Sequence, residues 1–405
     1  MAVYPRHANH NLPLASRRTL VWVTLTLFTD MVVYDMVVPF LPDYCRQFGV
    51  GESRLGLLFG AYAVALLLTV PIAGRVSDRL GAARALRLGA AGLLVSLALY
   101  AGATGSVMLF AARAVQGVAG GVAWTAGLAL LAASYPTARR GQVLGAAMAG
   151  MSLGTLIGPP VGGVLFDLGG ARLTFFVAAC WTVLILIGMA RLRVPAGRIE
   201  APTVRVGWRR YVRVTGAVVI GSALLSGLEP TLPLYLEAHI GVRPAEVGLM
   251  FGWAALVYGL TAPAAGWAAD RWGGRRVIAV GLVASSATLP AIAWPHTTVG
   301  VAAVLAAFGA ACAVLLTPTL SEIAAVCERR GAREFGSAYA VFNLAYAGGM
   351  AGGPIVGGLL APALGFGPAL VVIAVAAMAY LPVLVWRRRV TRSLSLAARR
   401  PVAAG

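Results

Sequence analysis

Twelve long apolar runs follow one another through this chain, at roughly 19–44, 54–74, 84–104, 106–134, 141–166, 172–191, 214–238, 245–268, 276–295, 298–326, 335–361 and 366–386. Each approaches or exceeds the about 20 residues that a helix needs to cross a bilayer. Lipid offers the backbone no hydrogen-bond partners, so a crossing segment is a helix or a strand of a closed barrel. These runs are rich in Ala, Leu and Gly, are too long for tilted strands, and lack the in-out alternation of a barrel strand. With 59% of residues hydrophobic and only 12% charged, a soluble multi-domain protein is excluded. The expected fold class is an all-α membrane protein of twelve transmembrane helices.

Orientation follows from the arginines. All 33 basic residues are Arg. With the N-terminus placed in the cytoplasm, 28 fall in cytoplasmic segments and four (Arg46, Arg54, Arg172 and Arg243) on the other side. That asymmetry obeys the positive-inside rule, and a missed span would scramble it. Both termini are therefore expected in the cytoplasm, in the plasma membrane of a bacterial cell. The formal charge of +19 is assigned to topology and anionic lipid headgroups, with no nucleic acid partner. The first 18 residues carry Arg6, Arg17 and Arg18 but no apolar core, so no cleavable signal is expected. Cys45, Cys180, Cys312 and Cys327 show no metal-binding spacing and are read as packing residues. No phosphate-binding GxxxxGK[ST] appears, so neither ATP, a metal nor another cofactor is expected.

The chain repeats itself. GRVSDRLGAAR at 74–84 returns as GWAADRWGGRR at 266–276, GPPVGG at 158–163 as GPIVGG at 353–358, and VPFLPDY at 38–44 as EPTLPLY at 229–235. The nearly constant offset describes a parallel duplication, with a six-helix bundle at 1–192, a cytoplasmic linker at 193–213 and a second bundle at 214–405. Two-half membrane proteins of this kind bind their solute near the midplane, between the halves.

Most of the 14 carboxylates lie in loops. Asp30, Asp35, Glu229 and Glu322 fall inside apolar runs. An ionised group in the membrane interior costs roughly 2.5–3.5 kcal/mol on the insertion scale, so such groups line a cavity, pair with another charge or carry protons. A carboxyl held away from water protonates more readily than one in solution. It is therefore able to exchange a proton for an organic cation. Asp30 and Tyr34 share a helix face at i,i+4. Asp35 points about 140° round the helix from Asp30, toward the cavity edge or a neighbouring helix. Glu229 precedes Pro230, and Pro233 follows; prolines free backbone carbonyls and bend helices. Glu322, after Pro318 and Ser321, is placed either in the cavity or near the cytoplasmic end. Arg113 is the one basic residue well inside a span, and its guanidinium stays charged and needs an acceptor. Gln116 lies one turn away.

These residues carry a family resemblance. Gly74-x-x-x-Asp78-Arg79-x-Gly81-x-x-Arg84 resembles the signature loop of the major facilitator superfamily. Arg113-x-x-Gln116-Gly117 resembles the motif shared by its proton-driven exporters. Gly154-x-x-x-Gly158-Pro159-Pro160-x-Gly162-Gly163 resembles its antiporter motif. Asp30 with Pro39 and Pro42, LEPTLPLYL in span 7 and GSAYAVFNLAYAGGMAGGPIVGG in span 11 resemble the vesicular monoamine transporters, which belong to the twelve-span drug:proton antiporters. The resemblance implies a major facilitator fold of two pseudo-symmetric six-helix bundles, and a non-enzymatic transporter working by alternating access as a monomer. It implies that Asp30 and Glu229 face the central cavity, and that Arg113 helps to load or release the proton. It implies that the Asp78 loop, repeated at Asp270 and Arg271, latches the cytoplasmic ends in the outward-facing state. Asp78 is expected to accept from backbone N–H groups at a helix N-terminus. The span 5 motif is expected to pack closely, bend its helix and limit leak. Asn343 departs from the vesicular family, which has an aspartate there.

Aromatic side chains expected around the acids are Tyr34, Trp124, Tyr235, Trp253, Tyr258, Tyr339, Phe342 and Tyr346. Such a wall offers cation–π contact to an amine. Substrate contacts are expected from Asp30, Tyr34, Trp124, Glu229, Tyr339, Asn343 and Tyr346, and proton coupling from Asp30, Asp35, Arg113, Glu229 and Glu322. The function expected is exchange of protons for a lipophilic or aromatic organic cation. The alternatives are proton-coupled export of neutral or anionic metabolites, such as sugars or amphenicol-like drugs, and a non-transporting sensor or lipid-handling protein.

Overall fold

The computed structural model describes residues 14–190, 212–328 and 335–385. The proposed linker at 193–213 and both termini lie almost wholly outside these residues. Apolar periodicity produces helices throughout. They are α1 (Leu14–Met36), α2 (Leu41–Arg46), α3 (Glu52–Leu80), α4 (Ala82–Ala101), α5 (Ser106–Ser134), α6 (Thr137–Ala190), α7 (Val212–Ser226), α8 (Leu232–Ile240), α9 (Pro244–Trp272), α10 (Gly274–Ala291), α11 (Thr298–Glu328), α12 (Phe335–Leu364), α13 (Phe366–Met378) and α14 (Leu381–Val385). Among the described residues nine segments are long and apolar enough to cross a membrane. α6 bends where Gly169 and Gly170 leave helical backbone, Gly170 at φ +68°, so its 54 residues make two crossings. The broken pair α7–α8 and the more polar α10 complete twelve.

The ends of the bundle differ. One, called here the basic end, carries the start of α1 and the α3–α4 and α9–α10 connections, with Arg75, Arg79, Arg84, Arg271, Arg275 and Arg276. The far end carries α2, α8 and the starts of α5 and α11. α1 stops at Met36, sooner than the sequence run predicts. After the Pro39 turn, α2 follows the apolar span that ends at Met36, and Arg46 on it meets Glu237 near the end of α8 at the far mouth. Leu68, Ile187, Leu260 and Val375 are exposed on the outer faces, which suits lipid rather than water.

The halves meet at two matching crossings built from backbone. In the first, a Cβ at Gly56 of α3 would strike the Pro354 carbonyl and lie 2.9 Å from Cα of Gly358 on α12, and one at Gly60 would meet Ile355 at 2.8 Å. In the second, a Cβ at Gly248 of α9 would strike the Pro159 carbonyl of α6, and one at Gly252 would meet Pro160. Gly56 and Gly60 stand 192 residues before Gly248 and Gly252. Only glycine lets backbones approach this closely.

The span 5 motif thus works on two sides. Gly154, Gly158 and Gly162 seat α1 through Phe28, Val32, Asp35 and Met36, while Pro159, Pro160 and Gly163 face α9 of the other half. Its repeat does the same. Gly349, Gly353 and Gly357 seat α7 at Val219, Ala223 and Gly227, and Pro354 and Gly358 face α3. All these crossings lie in the far-end portion of their helices. Two ion pairs add to them there, Arg46–Glu237 at 2.6 Å and Arg243–Asp167 at 3.9 Å.

A Cβ at Gly248 has nowhere to go, whereas one at Gly259 on the same helix meets nothing within 4 Å. Gly248→Ala is therefore expected to lower stability by about 1–3 kcal/mol through overpacking. Gly259→Ala is expected to be neutral or stabilising by up to about 1 kcal/mol. Thermal unfolding of the two variants in detergent checks the contrast.

Candidate functional site

Both broken spans place an acid near the interface of the halves. α7 ends at Ser226 and α8 starts at Leu232, with Glu229 and Pro230 in the turn between them. Pro230 has no N–H to continue the ladder. α1 breaks at the repeat-equivalent place, around Pro39, with Asp30 and Asp35 just before the break.

The three acids take different partners. Asp30 is 2% exposed and accepts a hydrogen bond from Trp124 Nε1 at 2.8 Å and a longer one from the Tyr62 hydroxyl at 3.3 Å. Gly120 closes over it, since a Cβ there would lie 3.0 Å from the carboxyl. Glu229 Oε2 accepts from the Tyr34 hydroxyl at 2.9 Å, a bond between the halves. Asp35 faces α6, where it packs on Gly158. The opposed directions of Asp30 and Asp35 follow from their five-residue spacing. Tyr34, which shares a face with Asp30, bonds instead to Glu229.

Arg113 lies among them, 0% exposed. Its Nη1 donates to Gln116 Oε1 at 2.9 Å, the partner expected from the one-turn spacing. Its guanidinium carbon stands 4.7 Å from the Tyr34 ring centre, 5.1 Å from Phe59 and 5.5 Å from Tyr62. The Tyr34 and Tyr62 rings are themselves 4.5 Å apart. Arg113 is within electrostatic reach of Asp30, Asp35 and Glu229, yet among the described ion pairs none joins it to a carboxylate. Its Nε and Nη2 have no hydrogen-bond acceptor. One fixed cation thus serves three acids through aromatic faces rather than through contact pairs. Such stacking is worth up to about 2 kcal/mol per desolvated ring.

Other expected residues fall in varied places. Tyr346 packs against the cores of both halves and is within electrostatic reach of Asp35, Glu229 and Tyr258. Phe342 stacks with Tyr346 at 5.9 Å between ring centres. Asn343 is half-buried on the same helix. The Tyr339 side chain lies outside the described residues, as does that of Cys327. Tyr235 does not join the group: it stacks on Phe366 and His239, and its hydroxyl donates to the Ala293 carbonyl. Trp253 is exposed.

Of the two places expected for Glu322, the basic end holds it, away from the central acids it was grouped with for proton coupling; the role expected of Asp78 needs correction. Glu322 packs on Gly274, the first residue of α10 at the basic end, where a Cβ would lie 2.6 Å from its Cγ. A carboxylate suits a helix N-terminus because the unpaired N–H groups and the macrodipole favour negative charge there. That was the role expected of Asp78. Asp78 instead lies exposed in the last turn of α3, and α4 starts at Gly81 without a side-chain cap. Gly81 and its repeat Gly273 hold φ of +83° and +89°, which explains the glycine in each loop. Gly74 meets nothing within 4 Å, and Arg79, Arg84, Asp270 and Arg271 are exposed, with Arg271 over the Trp267 ring.

Tyr62 was missed in the sequence. Its signal was available: a lone tyrosine within the apolar run GAYAVALLL, whose buried hydroxyl must find a partner.

The family model for the Major Facilitator Superfamily matches residues 23–226 and 214–404. The chain belongs to the major facilitator superfamily. It is a multi-pass membrane transporter, not an enzyme. Among its relatives, the vesicular acetylcholine transporter of Homo sapiens is 31% identical over 94% of this chain and 84% of the relative. The synaptic vesicular amine transporter of Rattus norvegicus is 26% identical over 87% and 70%. The resemblance to vesicular amine carriers thus holds, and it extends to the acetylcholine carriers. Among solved structures, an inward-facing, occupied bacterial homologue of the human lysosomal transporter Spinster aligns with a TM-score of 0.79, covering 92% of this chain and 96% of that one at 13% identity. The human organic anion transporter MFSD10 aligns at 0.68, covering 92% and all of that chain at 19% identity. These two likenesses speak to the fold.

The transporter's Trp124 is the shorter of the two described donors to Asp30. Trp124→Phe keeps most of the ring but removes that donor, and is expected to cost about 1–3 kcal/mol. Tyr62→Phe, which removes the longer bond, is expected to cost less. Unfolding midpoints in detergent check the order.

Proposed function

We propose that this transporter is a proton-coupled antiporter that exports lipophilic or aromatic organic cations, monoamine-like compounds or multiple drugs, by alternating access. The observation that carries the proposal is the pair Asp30 and Glu229. One acid comes from each half, both lie inward beside a single fixed cation, and both are held by aromatic donors. If all three central acids were ionised, Arg113 would balance only one of them. Uncompensated charge in a low-dielectric interior is costly. Either protons or an organic cation supply the balance, and the two compete for the same carboxylates.

The mechanism follows from that competition. With the basic end in the cytoplasm, the glycine crossings close the outer mouth in this structure, and a cation enters from within. It displaces the protons of Asp30 or Glu229 and lies against Tyr34, Trp124 and Tyr346, whose ring faces attract it. The halves then rock about the crossings, and protons arriving from outside return to the acids and release the cation. Asn343 does not titrate, so the proton route runs through α1 and α7. Arg113 lies near all three acids and steers the proton among them. The Asp78 and Asp270 loops, exposed here, close the basic end in the opposite state. The two bundles and the linker between them form the moving parts, and the protein works as a monomer in the bacterial inner membrane. Relatives named for acetylcholine and amines support a cationic substrate class.

In proteoliposomes under an imposed pH gradient, a panel of amines and drugs is expected to move against the proton flow, with neutral and anionic analogues left behind. Asp30→Asn is expected to abolish this exchange without loss of folded protein. Wild-type flux in that variant removes Asp30 from the site. Glu229→Gln is expected to flatten the pH dependence of cation binding, measured directly on the purified protein.

A further inference from the structure

Away from the central acids, Asp43, Arg46 and Glu237 meet at the far mouth. Asp43 and Arg46 stand on α2 of the first half, and Glu237 stands on α8 of the second. Arg46 Nη2 lies 2.6 Å from Glu237 Oε2, and its Nη1 lies 3.5 Å from Asp43 Oδ1. Both carboxyls therefore crowd one guanidinium across the two halves. Two carboxylates so placed repel each other. One arginine neutralises one of the two charges. The remaining charge calls for a proton, and the cluster that would hold it spans the two halves.

We propose that Asp43, Glu237 and Arg46 form a second proton-binding site, and that a proton held there keeps the outer mouth shut. Asp43 carries the proton and donates it to Glu237, which stays ionised against Arg46. The roles follow from the surroundings. Partial burial, and then the neighbouring Glu237, push the Asp43 carboxyl up to about 6. Arg46 pairs at 2.6 Å with Glu237 and stands farther from Asp43, at 3.5 Å, so Glu237 is the acid that stays ionised. The other charged group acting on this cluster is Glu52 of α3, which faces Arg46. Arg243–Asp167 is a separate pair at the same mouth, and it contains no second acid.

Opening the mouth separates α2 from α8 and returns Asp43 to water, where a carboxyl titrates near its ordinary 3.8. The closed state therefore binds the proton more tightly. By linkage, closure is favoured fully below the ordinary carboxyl range, and this bias is lost as pH rises through about 6. Above that, two ionised carboxylates face one guanidinium and the mouth loosens. An outer compartment that turns acidic thus closes the mouth by itself, whether or not a cation is bound. This reading rests on the duplication and the far-end closure, and needs no particular substrate at Asp30 or Glu229.

Val107 and Val299 begin α5 and α11 at the far end, one in each half, and are 82% and 80% exposed. Spin labels on Val107→Cys and Val299→Cys, with Cys180→Ser and Cys327→Ser, report the width of the mouth in the full chain. Distances are measured without substrate from about pH 8 down to about pH 4.5. The wild-type background is expected to shift from longer to shorter separations with a midpoint near 6. Asp43→Asn, which donates to Glu237 at every pH, is expected to hold the short separation throughout. Glu237→Gln, which removes the anion that pairs with Arg46, is expected to favour the long separation throughout, and it serves alone if Asp43→Asn does not fold. A flat wild-type profile overturns the proposal. So does a wild-type profile in either cluster variant. A profile abolished by Glu229→Gln but kept in the cluster variants assigns the proton to the central acid, which sinks this site and leaves the antiport proposal standing.

Discussion

Two places where backbone touches backbone govern this molecule. At Gly56 against Pro354 and Gly358, and at Gly248 against Pro159, backbone of one half lies against backbone of the other, and Gly60 and Gly252 beside them seat Ile355 and Pro160. Contact that close excludes both lipid and water, and the central acids lie behind it. Without it, Glu229 would not reach a tyrosine of the opposite half, and Asp30 would stand open to water. The electrostatics of the interior are thus a consequence of packing at its rim.

Behind that rim the charges are arranged sparingly. Arg113 touches no carboxylate among the described ion pairs, and spreads its influence over Asp30, Asp35 and Glu229 through the faces of Tyr34, Phe59 and Tyr62. A contact ion pair would have fixed one acid in the charged form. Stacking leaves each acid free to change partner, which is what competition between protons and an organic cation requires. The aromatic hydroxyls and the indole supply the donors that a carboxylate needs in a dry site.

Much of this was legible in the order of residues. The apolar runs fixed the number of crossings, since length alone decides what spans a bilayer. The duplication placed Glu229 opposite the first-span acids, because both broken spans carry proline at matching positions. The five-residue spacing of Asp30 and Asp35 put them on different faces. What escaped was whatever depends on contacts between distant helices. Tyr62 carries no local pattern, and Tyr34 shares a face with Asp30 yet bonds across the interface. Glu322 reads like a cavity acid because its neighbours in sequence are apolar, but one helix end, at Gly274, provides its partner. Asp78 was assigned the same kind of partner on the strength of its loop, where a glycine with positive φ already completes the turn.

The two-sided seat of α6 has a mechanical consequence. One strip of the helix, at Gly154, Gly158 and Gly162, grips α1 where Asp35 sits, and the neighbouring strip at Pro159, Pro160 and Gly163 leans on the opposite half. A rigid rod gripped on both sides transmits displacement. Any tilt of α6 against α9 would therefore be felt at the backbone next to Asp35, and any tilt of α12 against α3 at α7 near Glu229. Helix shape alone ties the seams between the halves to the seats of two central acids.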